Sequence, residues 1–211
     1  YIGRNAGSTG LATVSGSGSQ WNNSGGLYVG NYGTGSLNVL DGGVVSNSFS
    51  GIGYQAGSTG TATVSGTNSQ WNNSSNLYIG TYGNGTLNVE SGGLVSSSTG
   101  WLGFSSGSTG VATVSGSGSQ WNNTLFLKVG HAGAGTLNIL DGGVVSNTDG
   151  IIAGNAGSTG VATVSGSGSQ WNNSGNLYVG GSSSGAGGSG ALTISDSGLV
   201  DVDGTTTVWS T

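Results

Sequence analysis

Charge is what this 211-residue chain has least of, with two basic and seven acidic side chains, about 4% of its residues. An average soluble domain has about 25%. The two basic residues, Arg4 and Lys128, cannot neutralise a row of phosphates, which excludes nucleic-acid binding. The scarcity of Lys, Arg, Glu and Leu excludes a helical bundle or coiled coil. No apolar run approaches the roughly 18 residues of a membrane-spanning helix, so we expect no direct membrane insertion by this segment.

Cysteine is absent altogether. Its absence agrees with export without stabilising disulfides, and it agrees equally with a cytosolic location. No signal peptide is visible at the N-terminus. The chain opens on Tyr1-Ile2-Gly3, inside a strand-like pattern, so we expect it to be an excerpt or a processed segment of a longer protein.

Glycine and serine are abundant, with 48 Gly and 37 Ser, together about 40% of the chain. Such a composition predicts a disordered linker when it has no period. Here it has one of 50 residues, since Gly-Ser-Thr-Gly begins at 7, 57, 107 and 157 and Trp-Asn-Asn at 21, 71, 121 and 171. Fixed self-similarity is typical of stacked repeats. We predict one continuous β-solenoid over 1–211, with repeats 1–50, 51–100, 101–150 and 151–205, a loop insertion at 180–191 and a final partial repeat.

Each repeat divides into two halves. Aliphatic-glycine pairs recur after alternately longer and shorter steps, as at Ile2-Gly3, Val29-Gly30 and Ile52-Gly53. After each pair come a turn rich in Gly, Ser and Thr and then short alternating strands, three per half. One half is one coil in which each strand pairs in parallel with its copy in the next coil, about 4.8 Å away. The pattern predicts an all-β fold, a single-stranded parallel β-helix of about eight three-strand coils of alternately 23 and 27 residues.

Tryptophan occurs at the same place in every repeat. The half that contains it has a small residue, such as Ala12, on the preceding strand, whereas the other half has medium-sized Leu37 and Val45. Because protein interiors are close-packed, this compensation of volume predicts inward-pointing indoles. A surface tryptophan ladder for sugars is the alternative. The predicted core tryptophans are Trp21, Trp71, Trp121 and Trp171.

The repeat also resembles a known family. Its run Gly-Ser-Thr-Gly-Xaa-Ala-Thr-Val-Ser-Gly, followed by Ser-Gln-Trp-Asn-Asn, Leu-Tyr-Val-Gly and Leu-Asn-Val, resembles the passenger-associated repeat of bacterial autotransporters. The same repeat is found in some surface proteins with a PEP-CTERM sorting signal. The resemblance covers nearly the whole chain. It implies a right-handed parallel β-helix that is secreted or displayed on a bacterial cell surface and serves as an adhesive or spacer stalk.

Groups that could support catalysis are few. The single histidine, His131, falls at a turn position that is polar in other repeats, so we interpret it as a surface residue. Asp41 and Asp141 are four coils apart, about 19 Å, which is too far for a glycosidase pair at ~5–10 Å. Asp201 and Asp203 are two residues apart near the end of the chain, and we interpret them as solvent-facing. We therefore predict no enzyme, no catalytic residue, no metal site and no cofactor.

An outward-facing column is the candidate interaction site. The column consists of the central residue of each Leu-Tyr-Val-type strand, which lies between two inward residues. The alternative interpretation is that these side chains pack across strands and only stiffen the sheet. The predicted interaction strip is Tyr1, Tyr28, Tyr78, Trp101, Lys128 and Tyr178. A Thr/Asn array on another face suggests ice binding, but the Thr-Xaa-Thr pair of such surfaces occurs only at Thr61 and Thr63.

These patterns predict a structural or adhesive extracellular protein of a bacterial surface, a stalk or fibre segment that mediates adhesion or self-association. The expected partners are further copies of the chain, stacked end to end or side by side, and surface glycans or neighbouring cells. A carbohydrate-binding β-helix that uses the strip is the alternative. A polysaccharide-degrading enzyme is the third hypothesis.

Overall fold

The computed structural model describes residues 1–210, which form twenty-six β-strands. Within this range there is no helix, and hence none that is long and apolar enough to span a membrane. Twenty-four of the strands form three parallel sheets of eight strands each. We name them sheets I, II and III in the order in which the chain visits them.

Sheet I consists of the seven-residue strands β1 (Thr9–Ser15), β4 (Thr34–Leu40), β7 (Thr59–Ser65), β10 (Asn84–Glu90), β13 (Thr109–Ser115), β16 (Ala134–Leu140), β19 (Thr159–Ser165) and β24 (Ser189–Ser195). Sheet II consists of β2 (Gln20–Asn22), β5 (Val44–Asn47), β8 (Gln70–Asn73), β11 (Leu94–Ser97), β14 (Gln120–Asn123), β17 (Val144–Asn147), β20 (Gln170–Asn173) and β25 (Leu199–Val202). Sheet III consists of β3 (Leu27–Val29), β6 (Ser50–Ile52), β9 (Asn76–Ile79), β12 (Thr99–Leu102), β15 (Leu127–Val129), β18 (Gly150–Ile152), β21 (Leu177–Val179) and β26 (Thr206–Val208).

The chain visits sheets I, II and III in turn, so each round of three strands is one coil, and eight coils stack along an axis. This confirms the predicted all-β parallel β-solenoid. In the strands of sheet I, the apolar residues of the alternating pattern are buried and the polar residues between them are half-exposed. Since neighbouring strands pair in register, identical faces superimpose from coil to coil.

The number of residues per coil depends on whether it is counted between successive strands of sheet I or of sheet III. The strands of sheet I are evenly spaced along the chain from β1 to β19, whereas those of sheet III are separated by alternately shorter and longer steps. The difference arises at the corners. A tryptophan coil has four-residue corners at 16–19, 23–26 and 30–33, and the coil after it has corners at 41–43, 48–49 and 53–58. The coil that contains tryptophan therefore has more residues at its first two corners, and the coil after it has more residues at its third corner.

Large and small residues alternate in the columns of the core. On sheet II each buried tryptophan lies between two valines, as Trp71 does between Val45 and Val95. On sheet I Ala62 lies between two leucines in the same way. Because a coil with a large residue on sheet II has a small residue on sheet I, the volume of core side chains stays nearly constant from coil to coil.

The corners after sheets III and I are shaped by left-handed residues. Gly80 ends sheet III in its coil with φ +72°, and a Cβ there would lie 2.1 Å from the Thr109 carbonyl oxygen, so no other residue fits without a shift. After β4, Asp41 and Gly42 both have positive φ, and the Gly43 N–H donates to the Leu40 carbonyl at 2.9 Å, as in a type I′ turn. The glycine-rich composition thus supplies tight corners rather than a flexible linker.

The predicted insertion at 180–191 is shorter in the structure. Residues 181–186 form a small antiparallel hairpin of β22 (Gly181–Ser182) and β23 (Gly185–Ala186). The solenoid resumes at Ser189, so Ala191 lies inside β24 rather than in a loop. The hairpin leaves the register of sheet I intact, since β24 pairs with β19 along its full length.

Candidate functional site

The outer face of sheet III carries the predicted interaction strip. Strand pairing places one outward residue of each coil in a single column, which reads Tyr28, Gly51, Tyr78, Trp101, Lys128, Ile151, Tyr178 and Thr207. Tyr1 extends it by one step, because Ile2 bridges to Val29 and the rings of Tyr1 and Tyr28 stack with centroids 4.9 Å apart. The structure thus brings all six predicted residues into one line.

The strip is more covered than the sequence indicated. Tyr1 is 65% exposed, but the other five residues are half-buried. Aromatic side chains from the flanking corners lean over them, namely Phe49, Tyr54, Tyr82, Phe104 and Phe126. The alternating strand pattern does not point to these five, because they lie at corners. The available signal is position, since Tyr54 and Phe104 are equivalent in successive repeats and Phe49 and Phe126 each directly precede a sheet III strand. We call the strip together with these five residues the aromatic face.

One end of the aromatic face is a tyrosine cluster. The Tyr28 ring meets the Tyr54 ring edge-on at 4.5 Å and the Phe49 ring at 5.4 Å. Burial, followed by the proximity of Tyr54 and Tyr1, raises the pKa of Tyr28 to about 12. The Arg4 guanidinium lies 5.5 Å from the centre of the Tyr1 ring, a cation–π contact at the edge of the cluster.

The middle of the face is built around Trp101. Phe104 and Phe126 contact its indole edge-on, with centroids 5.2 and 5.0 Å away. The Lys128 Nζ lies 4.7 Å from the centre of the indole ring, and burial lowers the pKa of Lys128. His131 lies 4.7 Å from Trp101, and burial and then the Lys128 charge lower the pKa of this histidine. His131 therefore packs against the aromatic face.

A cleft of about 390 Å³ separates the two clusters. It lies beside Tyr78, and one of its walls is the Tyr54 ring, which covers Gly51. Its lining residues are Phe49, Tyr54, Ser75, Asn76, Tyr78, Thr81, Tyr82 and Phe104. The cleft combines aromatic walls with three neutral polar side chains, which is the usual composition of a small-molecule site.

The tryptophans of the repeat lie inside the solenoid. Trp71, Trp121 and Trp171 are fully buried, and Trp21 is only partly buried because it lies in the first coil. This excludes a surface ladder of these three indoles. Each buried indole N–H donates to a polar atom of the preceding coil, from Trp71 to Asn47 Oδ1 and from Trp171 to Asn147 Oδ1, both at 2.8 Å.

An internal polar ladder accompanies these tryptophans. Asn47 Nδ2 donates to Asn73 Oδ1 at 2.7 Å, and Asn147 Nδ2 donates to Asn173 Oδ1 at 2.6 Å. The second asparagine of each Trp-Asn-Asn thus faces inward, whereas the first, such as Asn122, faces the surface. The ladder satisfies the polar atoms that the buried tryptophans bring into the core.

Most of the carboxylates lie at corners or strand ends outside sheet III. Asp149 is the exception, because it directly precedes β18 at the position that Phe49 occupies two repeats earlier. Asp41 and Asp141 occupy equivalent exposed corners with φ 52°, a conformation that Asp tolerates. Asp201 is exposed on β25, and Asp203 is exposed just beyond that strand. Among residues 1–210, no three His, Asp or Glu side chains are grouped as metal ligands would be.

The fold and this surface define a parallel β-solenoid with a lateral aromatic face. No protein family, curated protein or solved structure matches the chain.

Proposed function

We propose that this chain is a stalk or fibre segment of a bacterial surface protein, and that it mediates adhesion or self-association through the aromatic face. The observation that carries the proposal is the concentration of ten aromatic side chains on one side of a rod. They are Tyr1, Tyr28, Phe49, Tyr54, Tyr78, Tyr82, Trp101, Phe104, Phe126 and Tyr178.

The chemistry of the face suits an interface. Protein interfaces are enriched in Tyr, Trp, Phe and Arg and depleted of acidic residues at their centre. Both basic residues of the chain, Arg4 and Lys128, lie on aromatic rings of the face. Tyr32 and Tyr82, on the adjoining corners, are 53% and 50% exposed. Exposed apolar patches that are rimmed by polar residues are typical of interaction surfaces.

The bacterial and extracellular part of the proposal is supported by the resemblance of the repeat to autotransporter passenger repeats. The expected partners are a second copy of the chain lying alongside, or glycans on a neighbouring cell. The stacked sheets fit the role of a spacer, because pairing from coil to coil makes a rod whose length grows with the number of repeats.

The test is a clustering assay with beads that carry the whole chain. We expect wild-type beads to cluster or to attach to bacterial cells, and the double variant Tyr28→Ser/Trp101→Ser to reduce this about tenfold through loss of apolar contact area. Leu11→Ser/Val161→Ser is the matched control, since both residues are exposed on the outer face of sheet I. Clustering that is absent in the wild type, or lost equally in the control, contradicts the proposal.

A carbohydrate-binding β-solenoid is the second candidate function. The cleft beside Tyr78 favours it, because a discrete cavity with aromatic walls is more than a flat contact surface needs. The polysaccharide-degrading alternative has no comparable support, since the carboxylates near the end of the chain, Asp201 and Asp203, are exposed to solvent.

A further inference from the structure

The cleft beside Tyr78 is walled by aromatic side chains from successive coils. Phe49, Tyr54 and Phe104 are among its lining residues, and the Phe104 ring meets the Tyr78 ring edge-on with centroids 5.1 Å apart. The Tyr54 ring also covers Gly51, where an added Cβ would lie 2.5 Å from Tyr54 Cδ2. Aromatic walls of this kind favour a ring-shaped ligand that presents apolar faces to them.

Polar groups at the cleft are held in place by hydrogen bonds. The Trp101 indole N–H donates to Thr99 Oγ1 at 2.8 Å, and Thr99 Oγ1 donates to Asn76 Oδ1 at 2.7 Å. Asn76 Nδ2 in turn donates to the Tyr78 hydroxyl oxygen at 2.9 Å. Because Tyr78 is the acceptor, its own proton remains available to a ligand. The chain of bonds orients one amide and one phenol at the cleft before anything binds.

Thr81 provides a second, independent indication of a ligand. It lines the cleft and is 4% exposed. Its Oγ1 is buried and has no hydrogen-bond partner among the described residues. Buried hydroxyls are nearly always bonded, so an unpaired one beside a cleft calls for a partner. A hydroxyl of a bound molecule is a group that would satisfy it.

We propose that the cleft binds one neutral pyranose residue of a glycan, with its C–H groups against the aromatic walls and its hydroxyls toward Asn76, Tyr78 and Thr81. The lining residues include no charged side chain, so an acidic or basic sugar would lose its hydration without compensation. Aromatic rings with a few neutral donors and acceptors match a molecule that has both apolar faces and hydroxyls. This inference rests on the proposed function in that it gives the adhesive face a specific ligand.

The test is a nuclear magnetic resonance titration of the whole chain with the methyl glycosides of glucose, galactose, mannose and N-acetylglucosamine. We expect at least one to shift the side-chain amide signals of Asn76 saturably, with a Kd of ~0.1–10 mM. Gly51→Trp should weaken binding at least tenfold, because its side chain would displace the Tyr54 ring that forms a wall of the cleft. Ile151→Trp is the matched control, since it adds the same side chain to the same column far from the cleft, and it should leave binding unchanged.

Thr81→Val separates a ligand contact from a structural role. It keeps the shape but removes the unpaired hydroxyl, so binding should weaken several-fold while the melting temperature stays the same or rises. No shift of Asn76 with any glycoside up to about 100 mM overturns the proposal, as does full binding by Gly51→Trp. Beads that cluster without sugar binding overturn this inference alone, whereas sugar binding without clustering overturns the adhesive function and leaves the inference standing.

Discussion

The interior of the solenoid and its aromatic face differ in how strictly they repeat. Inside, every fully buried tryptophan lies between two valines of the neighbouring coils, and the pattern returns in each repeat. On the face, the four sheet III residues Gly51, Tyr78, Trp101 and Lys128 follow one another with no repeated chemistry. The repeated core residues therefore determine the solenoid, and the outward residues of sheet III differ from coil to coil without changing it.

The physical reason is the number of neighbours. An inward side chain touches the coil above, the coil below and the opposite sheets, so a change of volume leaves a cavity or a clash. An outward side chain needs only an extended backbone and contacts neighbours on one side. The outer column can thus hold glycine in one coil and an aromatic residue in the next without loss of register.

The largest expected effect contrasts two tryptophans. Trp121 is fully buried, and Trp121→Ala should lower the free energy of unfolding by about 3–5 kcal/mol, since it removes a large side chain and leaves a cavity. Trp101 is half-buried on the face, and Trp101→Ala should cost only ~1–2 kcal/mol. Urea unfolding followed by circular dichroism measures both. Equal losses would show that the face is part of the core.

A smaller effect contrasts two glycines that share the left-handed conformation. Gly80→Ala places a Cβ at φ +72° and 2.1 Å from the Thr109 carbonyl oxygen, so we expect a loss of about 3 kcal/mol or more. Gly57 has φ +77°, and a Cβ added there would have no atom within 4 Å, so Gly57→Ala should cost only about 1 kcal/mol for the unfavourable backbone conformation. Thermal melting distinguishes them. A similar loss at both sites would mean that the stacked coils separate easily.

The smallest effect concerns pH and the aromatic face. Burial and then Lys128 lower the pKa of His131, and Asn155 Nδ2 lies 3.2 Å from His131 Nδ1, a bond that an unprotonated Nδ1 accepts. The unfolded state therefore takes up a proton more readily, and the stability due to this residue is full above about pH 6.5 and lost as the pH falls below it. Because the ring is partly exposed and screened by solvent, the expected loss is a few tenths of a kcal/mol.

The comparison for this prediction is His131→Asn, which restores the residue found at Asn31 in the first repeat. We expect the variant to show a flatter dependence of unfolding free energy on pH between about 5 and 7 than the wild type. Steeper acid sensitivity in the variant would contradict the direction of the pKa shift.

Much of the fold could be predicted because its causes are local. Alternating apolar and polar residues place Ala62 and Leu87 on the inner face of sheet I, and parallel stacking then repeats that choice in every coil. The candidate site was only half predictable. The column from Tyr28 to Tyr178 follows from the same alternation, but Phe49, Tyr54 and Phe126 lie at corners, where no period of two applies.

The repeat by itself determined the number of coils, their three strands and the inward tryptophans, because each follows from spacing along the chain and from the need to fill a constant cross-section. Only the tertiary structure decided which aromatic residues meet. Phe49, Tyr54 and Tyr78 are brought together by stacking and by the direction of each corner. The cleft beside Tyr78 likewise depends on how far neighbouring rings reach, a property of packing in three dimensions that the order of residues does not express.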